Sequence, residues 1–133
     1  MTQIKIEATE IILYVENQAK SRDFYSKLFG LEPVLDVPGM TEFLLSSNLK
    51  LGLMPNEGIN TILKDKMPHP KLGTGIPRCE LYLLVENIET VFEQALKTDA
   101  ILISPILDRD WGDKVCYFSD LDGHVIAFAE KIK

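Results

Sequence analysis

The sequence predicts an α+β fold in which one strand–helix–strand–strand–strand (βαβββ) module is written twice, giving eight strands and two main helices. Three observations carry this. Glu10–Asn17 reads EIILYVEN and Glu80–Asn87 reads ELYLLVEN, with Glu, Leu, Val, Glu and Asn matching in register. Each copy runs straight into residues with helical spacing. Each helix is then followed by three extended runs separated by turn residues.

In the first module, about residues 5–54, Asn17 is placed to cap a helix in which Phe24/Leu28 and Tyr25/Phe29 stand four apart. Gly30 ends it in a left-handed cap. Extended runs follow at 32–36, 41–46 and 48–54, broken by Pro38-Gly39 and Ser47-Asn48. In the second module, about 79–131, Asn87 caps a helix whose Ile88, Val91, Phe92, Ala95 and Leu96 form one stripe. The runs 101–107, 114–119 and 124–130 follow, with Asp122-Gly123 turning the last hairpin. The whole, residues 1–133, is expected to be a single domain. Residues 55–78, rich in Pro, Gly, Asn and Lys, are expected to be a linker or lid loop.

Strand alternation sorts side chains by face. Ile11, Leu13 and Val15, with Leu81, Leu83 and Val85, are expected to pack on the helices. The opposite face carries Glu10, Ile12 and Tyr14 in one copy and Glu80, Tyr82 and Leu84 in the other. In the last strand of each module, Gly52 and Ala127 share that front.

Composition narrows the function classes. Fourteen basic against twenty acidic residues give a net charge of −6, which argues against nucleic acid or an anionic membrane as partner. The apolar runs fall short of the roughly 20 residues of a spanning helix. MTQIKIEATE lacks the pattern of a signal peptide, so a cytoplasmic location is expected. Cys79 and Cys116 form no metal spacing and are expected to be reduced thiols. His124 is expected to be solvated at a hairpin end, and His69 to be exposed on the long loop. No Ser-His-Asp set or phosphate loop is present.

The stretches ILYVENQAKSRDFYSKLFGLEP (12–33) and WGDKVCYFSDLDGHVIAFAE (111–130) resemble the vicinal oxygen chelate superfamily, which holds glyoxalase I, bleomycin-resistance proteins and extradiol dioxygenases. The resemblance implies paired βαβββ modules whose sheets curl together as one eight-stranded sheet around a cleft, and a homodimer. It also implies four metal-site positions, which fall on Glu10, Gly52, Glu80 and Ala127. Two of these lack a side-chain ligand here. No firmly held metal cofactor is therefore expected; two carboxylates suit at most a weakly held divalent ion.

For Glu10 and Glu80 two readings stay open: wet strand starts, or carboxylates aimed into one cleft, where like charges disfavour joint ionisation. Tyr14, Tyr82 and Trp111 are the aromatic candidates for the cleft wall, with Gly52 and Ala127 leaving room for a ligand. For the tyrosines ordinary packing is the alternative. Trp111 stands among Asp108, Arg109, Asp110 and Asp113, too polar a setting for a core residue. Two functions are expected. One is binding of a small organic molecule, cationic or aromatic, without a complete metal site. The other is a glyoxalase-type lyase or isomerase in which Glu10 and Glu80 act as catalytic acid and base, with or without a weakly held divalent ion.

Overall fold

In the computed structural model, which describes residues Met1–Lys133, the repeated stretch becomes β1 (Thr9–Val15) in the first copy and β5 (Glu80–Leu84) in the second. The first module continues with α1 (Gln18–Phe29), β2 (Leu35–Val37), β3 (Met40–Ser46) and β4 (Leu49–Pro55). After α2 (Asn56–Leu63), the second continues with α3 (Ile88–Leu96), β6 (Ile101–Asp108), β7 (Asp113–Ser119) and β8 (Val125–Lys131). Two four-stranded sheets result, ordered β1-β4-β3-β2 and β5-β8-β7-β6. In each, the first strand pairs parallel with the last and the other pairings are antiparallel. The expected α+β architecture of two βαβββ modules is what the chain adopts.

The chain forms two compact units, Met1–Ser26 with Gly30–Leu72, and Lys27–Phe29 with Gly73–Lys133. The three helical residues counted with the second unit are held there in part by Gln94 of α3, whose Nε2 donates to the carbonyls of Lys27 and Leu28.

The two repeated asparagines act as helix caps. The Asn17 side chain accepts from the Lys20 amide, and that of Asn87 from the Thr90 amide. Each satisfies one of the amides that a helix start leaves unpaired. Gly30 closes α1 at φ 66°. The start of α3 has a second anion: the Glu130 carboxylate accepts from the Ile88 amide, which, with Lys114, holds Glu130 below its ordinary pKa.

In the first unit, Leu13, Val15, Phe43, Leu51 and Leu53 are buried, as are Phe24 and Tyr25 of α1. Ile11, on the same side of β1, stays exposed near the strand's open end. The buried Thr41 hydroxyl donates to Asp36 and accepts from Gln18, whose amide group also ties the Pro38-Gly39 turn. In the second unit, Leu81, Ile126 and Phe128 are buried together with Phe118 and Ile88.

Residues 55–78 do not form the bare loop expected. They hold α2 and two short 3-10 turns, Lys64–Lys66 and Pro70–Gly73. Eight residues are too few to show a helical period, and Asn56, Gly58 and Asn60 disguise it. What holds α2 is tertiary: Ile59 is buried, and Lys64 ends the helix at φ 55°.

His124 also departs from expectation: it is 3% exposed. The hairpin Asp120–His124 is folded inward because one Asp120 oxygen accepts from the amides of both Asp122 and His124. The outside of the turn is covered by residues 73–79. The Gly75 amide and the Arg78 guanidinium donate to the Asp122 carbonyl, and Arg78 Nη2 donates to His124 Nε2 at 3.5 Å. Gly123 sits at φ 92°, where an added Cβ would lie 2.7 Å from the Gly75 backbone. Gly39 shares the positive φ but has open space around it. In urea denaturation, Gly39→Ala should therefore lose about 1–2 kcal/mol from φ alone. Gly123→Ala should lose a further ~1–3 kcal/mol from the contact, and equal losses would show that the turn does not need this close approach.

Candidate functional site

Each sheet has a face away from its helix, and cross-strand register fixes which side chains meet there. In the first unit Ile12 and Glu42 stand opposite Gly52 from either side, while Glu10 stands opposite Lys50. An added Cβ at Gly52 would fall 2.5 Å from Glu10 Oε2 and 3.3 Å from Met40 Sδ. The space that glycine leaves is thus taken by the Glu10 carboxyl itself.

That carboxyl is held in an unusual state. Its Oε2 is buried with no donor, and its near polar neighbour is the carboxylate of Glu42, itself 3.4 Å from Lys50 Nζ. Burial, then a hydrogen bond with Glu42, then the Glu42 charge raise the Glu10 pKa, against the pull of Lys50. Like charges side by side disfavour ionisation of Glu10, in the same direction as its burial. Tyr14 and Met54 are half-buried further along the same face. A depression of about 480 Å³ lined by Thr9, Glu10, Leu44 and Lys50 adjoins the pair.

The second unit fills the equivalent face differently. Ala127 lies between Tyr82 on β5 and Tyr117 on β7, and is fully buried with Val115 and Ala129. The Tyr82 hydroxyl donates to the buried Asp113 carboxylate and accepts from Trp111 Nε1 at 2.7 Å. Burial and the Asp113 bond raise the Tyr82 pKa. Trp111 is 58% exposed, and its indole is nonetheless fixed by that bond. Arg109 lies over the Tyr117 ring at 5.1 Å. Glu80 is exposed, at the first pair of the sheet, opposite Val125.

The structure therefore joins Glu10 with Gly52 in one unit, and Tyr82 with Trp111 and Ala127 in the other. Sequence reasoning missed Glu42, Asp113, Tyr117 and Arg109 as members of these faces. Glu42 carried a signal, as the only charge within a strand of otherwise uncharged residues (MTEFLLS). The others needed the register. His69 is tied into the 3-10 segment: Nδ1 accepts from the Lys71 amide, so Nε2 donates to Glu57 at 3.0 Å. Both ring nitrogens are thus engaged in hydrogen bonds. Burial raises the thiol pKa of both Cys79 and Cys116, which makes them poor nucleophiles.

The donor set does not fit a firmly held catalytic metal. Gly52 and Ala127 offer no side-chain donor, and nowhere do three or more His, Cys, Asp or Glu gather in a ligating group. A catalytic divalent site generally needs three protein ligands. Beside Glu10 the nearby cationic place is taken by Lys50.

No helix is long and apolar enough to cross a membrane. The chain's shape is shared with known structures. A glyoxalase/bleomycin resistance protein/dioxygenase from Nocardioides superposes with a TM-score of 0.81 at 18% identity, covering 99% of this chain and 87% of that one. A glyoxalase-related enzyme from Fulvimarina pelagi superposes with a TM-score of 0.79 at 19% identity, covering 96% and 89%. In sequence, an uncharacterized protein of Mycobacterium bovis is 26% identical over 124 residues, 91% of this chain and 81% of the relative. The profile of the glyoxalase-like domain matches residues 8–133. With nearly its whole length matched, the chain belongs to the glyoxalase-like domain family of the vicinal oxygen chelate superfamily.

Proposed function

We propose that this protein binds a small organic molecule, aromatic or cationic in character, without a complete metal site, in the manner of a bleomycin-resistance-like binding protein. The observation that carries this is Trp111: a largely exposed indole held in one orientation through Tyr82 and Asp113. A large aromatic surface already ordered before binding loses little entropy when a flat ligand stacks on it. The protein is taken to act in the cytoplasm as a homodimer, with no metal cofactor.

A second reading has its own support. The raised pKa of Glu10 is the property of a general acid or base. A glyoxalase-type lyase or isomerase would use Glu10 with Glu80, with or without a loosely held divalent ion. The two readings part on metal content and turnover. Purified protein carrying stoichiometric, tightly held Ni²⁺ or Zn²⁺ overturns the metal-free reading.

Trp111 is the chain's sole tryptophan, so its fluorescence reports directly on this place. A panel of planar aromatic compounds should quench it saturably, and Trp111→Ala should abolish the thermal shift those compounds cause while leaving the unliganded Tm within a degree or two. Unaltered shifts in Trp111→Ala would refute the platform.

The Glu10 pair makes a stability prediction. A folded pKa above the unfolded value gives a contribution that is full below the unfolded pKa, about 4.5, and is lost as pH rises through the folded one. Glu10→Gln should thus gain stability relative to wild type between pH 4.5 and 7. Gly52→Ala should cost about 1–3 kcal/mol by overpacking, and most of that cost should vanish in a Glu10→Ala background, as a double-mutant cycle would read.

A further inference from the structure

We infer that Arg109 is an anion-binding residue on the front of the second unit, and that the ligand stacked on Trp111 carries a carboxylate or a similar organic anion. The inference rests on the aromatic-platform reading and, in place of the cationic ligand, gives the aromatic one a negative charge on the side of Tyr117.

The guanidinium is held firmly but its charge is not matched. Nη2 donates to Ser104 Oγ at 2.7 Å, to the Val115 carbonyl at 3.0 Å and, at 3.4 Å, to the Pro105 carbonyl. All three acceptors are neutral. No carboxylate lies within ion-pair distance of Arg109, although the chain carries an excess of acidic residues. Nε is buried without an acceptor, and Nη1 makes no hydrogen bond. The guanidinium carbon lies over the Tyr117 ring, 5.1 Å from its centroid.

Clamping the irregular part of β6 explains the Nη2 bonds, because the register of β6 on β7 shifts at Ser104. It does not explain a charged group. A neutral donor would serve the same three oxygens without the cost of a half-buried charge that lacks a counter-ion. A guanidinium held by one nitrogen, set over an aromatic face and left with unfilled donors is instead preorganised for a carboxylate, whose charge would complete it. Placement agrees. Tyr117, which carries the guanidinium, and Tyr82, which carries the Trp111 indole, flank the one small residue Ala127 on the same face.

The test uses three probes of one ring, 1-naphthoate, 1-naphthamide and 1-naphthylmethylammonium, titrated against the full chain with Trp111 fluorescence and thermal shift as readouts. The acid should bind at least tenfold more tightly than the amide, and the ammonium more weakly than both. Arg109→Gln should bring acid and amide to within about twofold of each other, and Arg109→Lys should keep part of the difference. Equal binding of acid and amide to wild type, or tighter binding of the ammonium, overturns the anion site while leaving the aromatic platform standing. An acid-to-amide ratio that survives in Arg109→Gln, with both affinities lowered alike, assigns Arg109 to structure and overturns the proposal. Saturable binding by none of the three overturns the platform and the anion site together. The wild-type comparison decides even if Arg109→Gln fails to fold.

Discussion

The parallel pairing of the first strand of each module with its last is the constraint on which the rest depends. Parallel neighbours cannot be joined by a hairpin, so the chain must leave through a helix and return through two further strands. The last strand then becomes internal, flanked by the first strand on one side and the third on the other. Whatever it presents on the front is pressed between two neighbours at once. Gly52 and Ala127 occupy those places, and everything chemically notable in either unit is arranged around them.

The same small residue is used in two ways. At Gly52 the absent side chain admits a carboxyl from the first strand, and the carboxyl meets another from the third. Burial there and the neighbouring Glu42 carboxyl both raise the Glu10 pKa, against the pull of Lys50. At Ala127 the single methyl lets two tyrosines stand on either side, and they in turn support an indole and a guanidinium. The first arrangement disfavours charge on Glu10. The second keeps charge and orders it.

The fold was legible because its signals are local and repeated. Asn17 and Asn87 mark helix starts, Gly30 a helix end, and the alternating Leu and Val the buried side of β1 and β5. The failures share a cause as well. α2 is too short to show a period and is held by what it packs on. His124 was read from its place in a hairpin, but the Asp120 side chain and residues 73–79 decide its burial. Of the site, Glu10, Gly52, Tyr82 and Trp111 were readable as front-face residues. Glu42 and Arg109 were not, because their roles come from register and from a loop returning over the sheet, and neither has a sequence period.

Glu10 and Glu80 show why a repeat reveals architecture more readily than chemistry. The two occupy the same position of the same motif, yet one is half-buried with a raised pKa and the other is exposed. Glu80 is in the first pair of its sheet, where water reaches it, and its partner is Val125. Glu10 is one pair further in, opposite Lys50, with Gly52 beyond it and Glu42 across. A shift of one strand pair and the loss of one side chain thus separate an ordinary surface glutamate from one whose pKa is raised. A carboxyl without a donor works against stability at neutral pH, and packing alone would be better served by glutamine or leucine in its place. The stability of the fold therefore does not account for its presence.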